Sequence, residues 1–277
     1  MNIDGSTQIV AVLGSPIAHT ASPAMHNAAF AALKMNWAYL AFHVEPQNLR
    51  AALAGIRDMN FRGVNLTVPH KMLALDLVDE VDADARRLGA INTVVVEGGK
   101  LRGFNTDGYG FSKAIKEDFN MLLKGQRVLV IGAGGAGRAV ATQCLLEGAA
   151  KVIVANRTQS KIQAIAGVEA IGLNDLPRVI HDVDLLVNAT SVGLKPGETL
   201  PVTPEMFSPK LAVYDVVYRP AETALIRQAN DAGAKVANGL NMLLHQGAKA
   251  FEIWTKRKAP LTVMRRALRS AVYGEQA

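Results

Sequence analysis

RVLVIGAGGAGRAVATQCLLEGAAKVIVANRT, residues 127–158, decides the fold. RVLVIG (127–132) is an apolar run of strand length, GAGGAG (132–137) a turn, residues 136–147 a helix, and KVIVAN (151–156) a second strand. Strand, glycine turn, helix and strand within about 30 residues make a βαβ unit with a right-handed crossover. DLLVNAT (184–190) and LAVYDVVY (211–218) read as further buried strands, with helical stretches such as 221–232 between or after them. The fold class is therefore α/β, with a doubly wound parallel sheet that binds its cofactor at the carboxyl ends of the strands.

Gly132-Ala133-Gly134-Gly135-Ala136-Gly137 matches G-x-G-x-x-G in the context its mechanism needs, after a strand and before a helix. Gly132 permits the tight turn, Gly134 lets the backbone approach a pyrophosphate, and Gly137 permits close helix packing. The amides at the helix start then face the phosphates. An NAD site places an acid at the end of the second strand, for the ribose 2′-hydroxyl. Here that place holds Asn156-Arg157-Thr158 and then Lys161, two cations and a hydroxyl suited to a 2′-phosphate. The expected cofactor is NADP, with NAD as the alternative.

A second α/β pattern lies upstream. IVAVLG (9–14) reads as a strand, 22–34 as a helix, WAYLAFHV (37–44) as a strand, 46–58 as a helix and 61–66 as a strand. Ser22 suits the N-cap of the first helix, Pro23 its first position and Lys34 its last turn. The helical segment after Gly239 has no Rossmann strand to follow it, so it is expected to pack back on the first domain. The expected domains are a substrate-binding domain, 1–106 with 241–277, and a Rossmann cofactor domain, 107–240. Two domains sharing helical connectors are expected to enclose a cleft.

Length and composition agree: 277 residues suit two domains, and 49% apolar with 19% charged residues excludes a disordered chain. The net charge of +6 is confined to residues 249–270, which hold seven basic residues and one acid. Leu261, Met264 and Leu268 in that segment, and Val272 just beyond it, lie at helical spacing, so the charge reads as a solvated helix face. Aromatic residues are 5% of the chain and are not interleaved with the basic ones, which argues against a nucleic-acid partner. The single cysteine, Cys144, and histidines without ligand spacing give no metal site. The acid-bearing start MNIDG and the absence of a long apolar run predict neither secretion nor membrane insertion, and hence a cytoplasmic protein.

Four short polar runs, 14–23, 65–71, 89–93 and 103–108, put amides and hydroxyls where strands end, a set suited to a polyhydroxylated acid. With these runs the chain resembles the shikimate dehydrogenase family from about residue 9 to about residue 270. The resemblance rests on GSPIAHTASPAMHN, NLTVPHK, GAINT, GFNTDG, GAGGAGRA, NRT, NATSVG, YDVVY and GLNMLLHQG. It implies reversible NADP-dependent reduction of 3-dehydroshikimate to shikimate, in aromatic amino-acid and chorismate biosynthesis. Lys71 and Asp107 match the family's catalytic pair, with Lys71 in direct proton transfer and Asp107 positioning it. Thr20 and Ser22 match the hydroxyls that hold the substrate carboxylate, and Asn65, Thr67, Asn92 and Gln246 the contacts to ring hydroxyls. Tyr218 is similar to a tyrosine near the cleft, and His245 is expected at the surface or behind the site. Thr190, Val216 and Gly239 complete the implied cofactor contacts. Two positions depart from the family: Thr20 replaces a common serine, and Asn241 stands where a glycine is common. The implied partners are small molecules, shikimate or 3-dehydroshikimate with quinate as an alternative, in a monomer or homodimer. A broader quinate/shikimate dehydrogenase using NAD, and a non-catalytic NADP-binding module, are the competing readings.

Overall fold

The computed structural model describes residues 3–163, 165–195 and 197–275, so the outermost residues of the expected domains, 1–2 and 276–277, lie outside the described residues. The chain forms two compact units, residues 1–106 with 246–277 and residues 107–245.

The first unit contains β1 (Gln8–Gly14), α1 (Ser22–Ala32), β2 (Trp37–His43), α2 (Leu49–Asp58), β3 (Gly63–Leu66), α3 (His70–Leu73), β4 (Glu80–Val81), α4 (Ala83–Leu88), β5 (Thr93–Glu97) and β6 (Lys100–Phe104). The sheet order is β2-β1-β3-β5-β6-β4. β1 pairs parallel with β2 and β3, whereas β5 runs antiparallel to both β3 and β6. That reversal gathers the polar runs. Leu13 pairs with Leu66, Asn65 with Thr93, and Thr93 with Phe104. The ends of β1, β3 and β6 and the start of β5 therefore share one edge. Apolar residues of α2 and the sheet, among them Leu49, Leu53, Leu13 and Leu66, form a core beneath it.

The second unit contains α5 (Asp107–Phe119), β7 (Arg127–Ile131), α6 (Gly135–Leu146), β8 (Lys151–Ala155), β9 (Glu169–Ile171), α7 (Leu176–Val179), β10 (Leu185–Asn188), β11 (Ala212–Asp215), α8 (Ala224–Asp231) and β12 (Lys235–Asn238). Its order is β12-β11-β10-β7-β8-β9, and every pairing is parallel. Alternate residues serve opposite cores: Val128 and Val130 pack with α5 and α6 residues, Leu129 and Ile131 with Leu176 and Leu225. The chain lays β8 and β9 on one side of β7, then crosses to β10 on the other. Ile131 and Asn188 pair across this switch point.

Two helices follow, α9 (Leu240–Thr255) and α10 (Leu261–Tyr273). Residues 246–277 belong to the first unit, where α10 packs along α1 and Trp254 Nε1 donates to Val94 O at 3.0 Å. Met264, Leu268 and Val272 are buried, while Leu261, expected in the same stripe, is 36% exposed at the first position of α10. Among the described residues no helix is long and apolar enough to cross a membrane.

Candidate functional site

A hydrogen-bonded array runs along the polar edge of the first unit. Asn65 Nδ2 donates to Asn92 O and to Thr93 Oγ1, both at 3.0 Å. A carbonyl can only accept, so Asn92 O fixes the amide's orientation and turns Asn65 Oδ1 to the Tyr39 hydroxyl, which donates to it at 2.7 Å. Asn92 Oδ1 accepts from Thr106 N at 2.8 Å and Thr93 Oγ1 at 3.0 Å. Asn92 Nδ2 donates to Thr106 Oγ1 at 2.9 Å and to Gln246 Oε1 at 3.3 Å. The fold thus joins Asn65, Asn92 and Gln246 across widely separated stretches of chain. Thr67 lies one residue beyond β3, its methyl against Gly14. Lys71 stands in the first turn of α3, where its carbonyl accepts from Ile91 N at 2.7 Å, next to Asn92.

Ser22 does not cap α1, contrary to expectation. Ala21 occupies the N-cap in a helical conformation, Ser22 is the first helical residue, and Thr20 Oγ1 accepts from Ser22 N at 3.3 Å. Burial holds the Tyr39 hydroxyl above the ordinary tyrosine pKa. Lys34 likewise falls outside the helix: α1 ends at Ala32, and Lys34 adopts a left-handed φ of 52°.

Sequence reading missed Tyr39, since a tyrosine inside WAYLAFH reads as core. Two neighbouring side chains of α1 hold it. Asn27 clasps its backbone, accepting from Tyr39 N at 2.8 Å and donating to Tyr39 O at 3.0 Å. His26 stacks on its ring at 4.3 Å with 4° between planes. Burial pushes the His26 imidazole down to about 3 from its usual 6.5. The unfolded chain then binds a proton that the folded chain refuses, so stability is full above 6.5 and falls as pH drops toward 3. His26→Phe keeps a ring on Tyr39 and should flatten the fall in Tm between pH 7 and about pH 5. An equal fall in both proteins would refute this assignment.

In the second unit the glycine turn is sterically required. Gly132 has φ of 112°, and a Cβ there would lie 2.9 Å from both Ala189 O and Thr190 Cγ2. A Cβ on Gly137 would meet Gly132 O, whereas open space surrounds that of Gly134. Gly134 is the N-cap of α6, so the amides of Gly135, Ala136 and Gly137 open the helix without intrahelical acceptors. Thr190 joins this turn through Asn188, whose Oδ1 accepts from Thr190 N at 3.0 Å and Thr190 Oγ1 at 2.7 Å. Val216 and Gly239 also meet, since a Cβ on Gly239 would strike Val216 O. At the end of β8, Asn156 Nδ2 donates to Thr158 O at 2.8 Å, shaping the turn that exposes Arg157, Thr158 and Lys161. We expect Gly137→Ala to lower Tm by several degrees and to remove saturable NADP+ binding in a titration. Unchanged binding would contradict the steric account.

Asp107 is the buried first residue of α5, and Tyr218 is a half-buried residue three positions beyond β11. His245, expected at the surface or behind the site, is buried, and its Nε2 lies 2.7 Å from Glu117 Oε2. One turn earlier on α9, Asn241 Nδ2 donates to Asp118 Oδ1 at 2.5 Å. The departure at Asn241 therefore has a partner on α5.

Three family descriptions match the chain: a shikimate dehydrogenase substrate-binding domain over residues 12–94, a shikimate/quinate 5-dehydrogenase over 113–195, and a shikimate 5′-dehydrogenase C-terminal domain over 239–269. The NADP(+) shikimate dehydrogenase of Methanopyrus kandleri is 44% identical over 281 residues, covering 97% of each chain. A crystal structure of a shikimate dehydrogenase with NADP+ superposes with a TM-score of 0.91 at 37% identity, covering 98% of both chains. The Thermus thermophilus shikimate 5-dehydrogenase, in complex with NADP(H) and shikimate, gives a TM-score of 0.88 at 43% identity, covering 96% of this chain and 100% of that one.

Proposed function

The chain belongs to the shikimate dehydrogenase family, and we propose that it is an NADP-dependent oxidoreductase interconverting 3-dehydroshikimate and shikimate in aromatic amino-acid biosynthesis. The observation that carries the reading is this family likeness along nearly the whole chain, in which a polar amide-and-hydroxyl edge and a glycine turn are both in place. The turn suits a dinucleotide: open space at Gly134 and the free amides of α6 fit a pyrophosphate, and Arg157, Thr158 and Lys161 a 2′-phosphate. When bound, NADPH supplies the hydride that reduces the ketone.

The protein's own part is to hold the substrate and deliver the proton. Lys71 gives a proton to the carbonyl oxygen as the hydride reaches carbon, and Asp107 orients its ammonium. Thr20 and Ser22 take the substrate carboxylate. Asn65, Thr67, Asn92, Gln246 and Tyr218 face the ring hydroxyls. Both amide hydrogens of Asn65 are already committed, so it meets a hydroxyl as an acceptor. We further assign the enzyme to the cytoplasm, acting on small molecules as a monomer or homodimer. Purified protein mixed with 3-dehydroshikimate and NADPH should consume both, followed by the loss of reduced-nicotinamide absorbance. No consumption at millimolar substrate would refute the proposal.

A further inference from the structure

Asp215 closes β11, is fully buried, and has no part in the roles above. Its Oδ1 accepts from Asn188 Nδ2 at 2.8 Å and from Val217 N at 3.0 Å. Its Oδ2 accepts from Thr223 Oγ1 at 2.6 Å, and Thr223 in turn caps α8 by accepting from Ile226 N at 3.3 Å. Three elements thus converge on one carboxylate.

Asn188 carries the arrangement onward. It donates to Asp215 and, at 3.1 Å, to Val192 O, which fixes its Oδ1 toward Thr190. Thr190 N and Oγ1 both donate to that oxygen, and Thr190 Oγ1 accepts from Val192 N at 3.0 Å. The loop 188–193 therefore hangs from Asp215 by consecutive hydrogen bonds. Ala189 and Thr190 of this loop are what press on Gly132. At its far end, a Cβ on Gly193 would lie 3.2 Å from Thr223. Burial pushes the Asp215 carboxyl up to about 6. Near neutrality the ionised group costs folding stability, which a residue kept for packing alone would not.

We propose that Asp215 is a positioning residue for the dinucleotide, holding the 188–193 loop against the glycine turn through Asn188 without touching the cofactor. This rests on the reading of Gly132–Gly137 and Thr190 as cofactor residues. Calorimetric titration of the wild-type protein with NADP+ tests that reading by itself, because absent binding there would remove it whatever the variants do. For the inference, Asp215→Ala and Asn188→Ala should each raise the Kd for NADP+ by about tenfold or more. Asp215→Asn presents a carbonyl to Asn188 and Val217 and an amide to Thr223, whose hydroxyl can accept, so it should stay within about threefold of wild type. The Kd for shikimate should change less than about twofold in Asn188→Ala, which leaves the Val217 contact beside Tyr218 intact, and a general loss of structure would not allow that. If Asp215→Ala does not fold, Asn188→Ala decides alone, since it leaves the Val217 and Thr223 contacts intact. The inference is overturned if Asn188→Ala binds NADP+ like wild type, if Asp215→Asn loses as much as alanine, or if the shikimate affinity of Asn188→Ala falls in parallel.

Discussion

Lys71→Ala should lower kcat by ~10²–10⁴, the usual range for a general acid–base group, while the Kd for NADP+ stays within about twofold. The asymmetry follows from where Lys71 sits. It belongs to the unit that carries the polar edge, and the glycine turn belongs to the other. Its side chain is only partly buried, so truncation leaves little cavity, and its carbonyl still accepts from Ile91 N in the variant. Tm should thus move little, which separates a chemical loss from a folding one. The KM for shikimate should change less than kcat, because the proton is transferred in the transition state. If Asp107 has the positioning role proposed for it, Asp107→Asn keeps the proton donor and should lose less than Lys71→Ala. A Lys71→Ala enzyme retaining more than about a third of wild-type kcat would remove Lys71 from the reaction.

Arg157→Ala should raise the KM for NADP by about one to two decades and leave that for NAD nearly unchanged. Arg157 is exposed at the end of β8, on a turn that Asn156 shapes, with Lys161 four residues on. A guanidinium there has little to do for packing and much to offer a 2′-phosphate. Because the group is open to solvent, the effect of the substitution should shrink as salt rises from low ionic strength to about 0.5 M. Asn156→Asp should work in the same direction by adding repulsion against the phosphate, and it should also improve NAD by offering an acceptor to a free 2′-hydroxyl. Equal changes in the two KM values for Arg157→Ala would mean that the arginine touches a part common to both cofactors.

Local signals carried far in this chain. The glycines of 132–137 are legible because their need is steric and sequential: a left-handed φ at Gly132 and a helix packed on the turn at Gly137. The apolar runs mark β7, β8, β10 and β11 because strands covered on both faces are apolar throughout. Their ends were less legible. LAVYDVVY reads as strand to residue 218, yet β11 stops at Asp215, because Val217 N turns to the Asp215 carboxylate instead of a neighbouring strand. Ser22 looked like a cap because serine before a proline usually is one, but Ala21 takes the N-cap and Thr20 already serves the Ser22 amide. Tyr39, Asn188 and Asp215 escaped for a shared reason. Each owes its role to a partner 26 or 27 residues away, and no spacing rule within one element encodes that pairing.

The most direct test of the account is a matrix of initial rates for the wild-type protein, with shikimate or quinate against NADP+ or NAD+. Shikimate with NADP+ should give the highest kcat/KM, by about tenfold or more over each of the other three combinations. If quinate with NAD+ leads the matrix, or if shikimate with NADP+ gives no turnover, the chain keeps its family and fold but the assigned reaction is wrong.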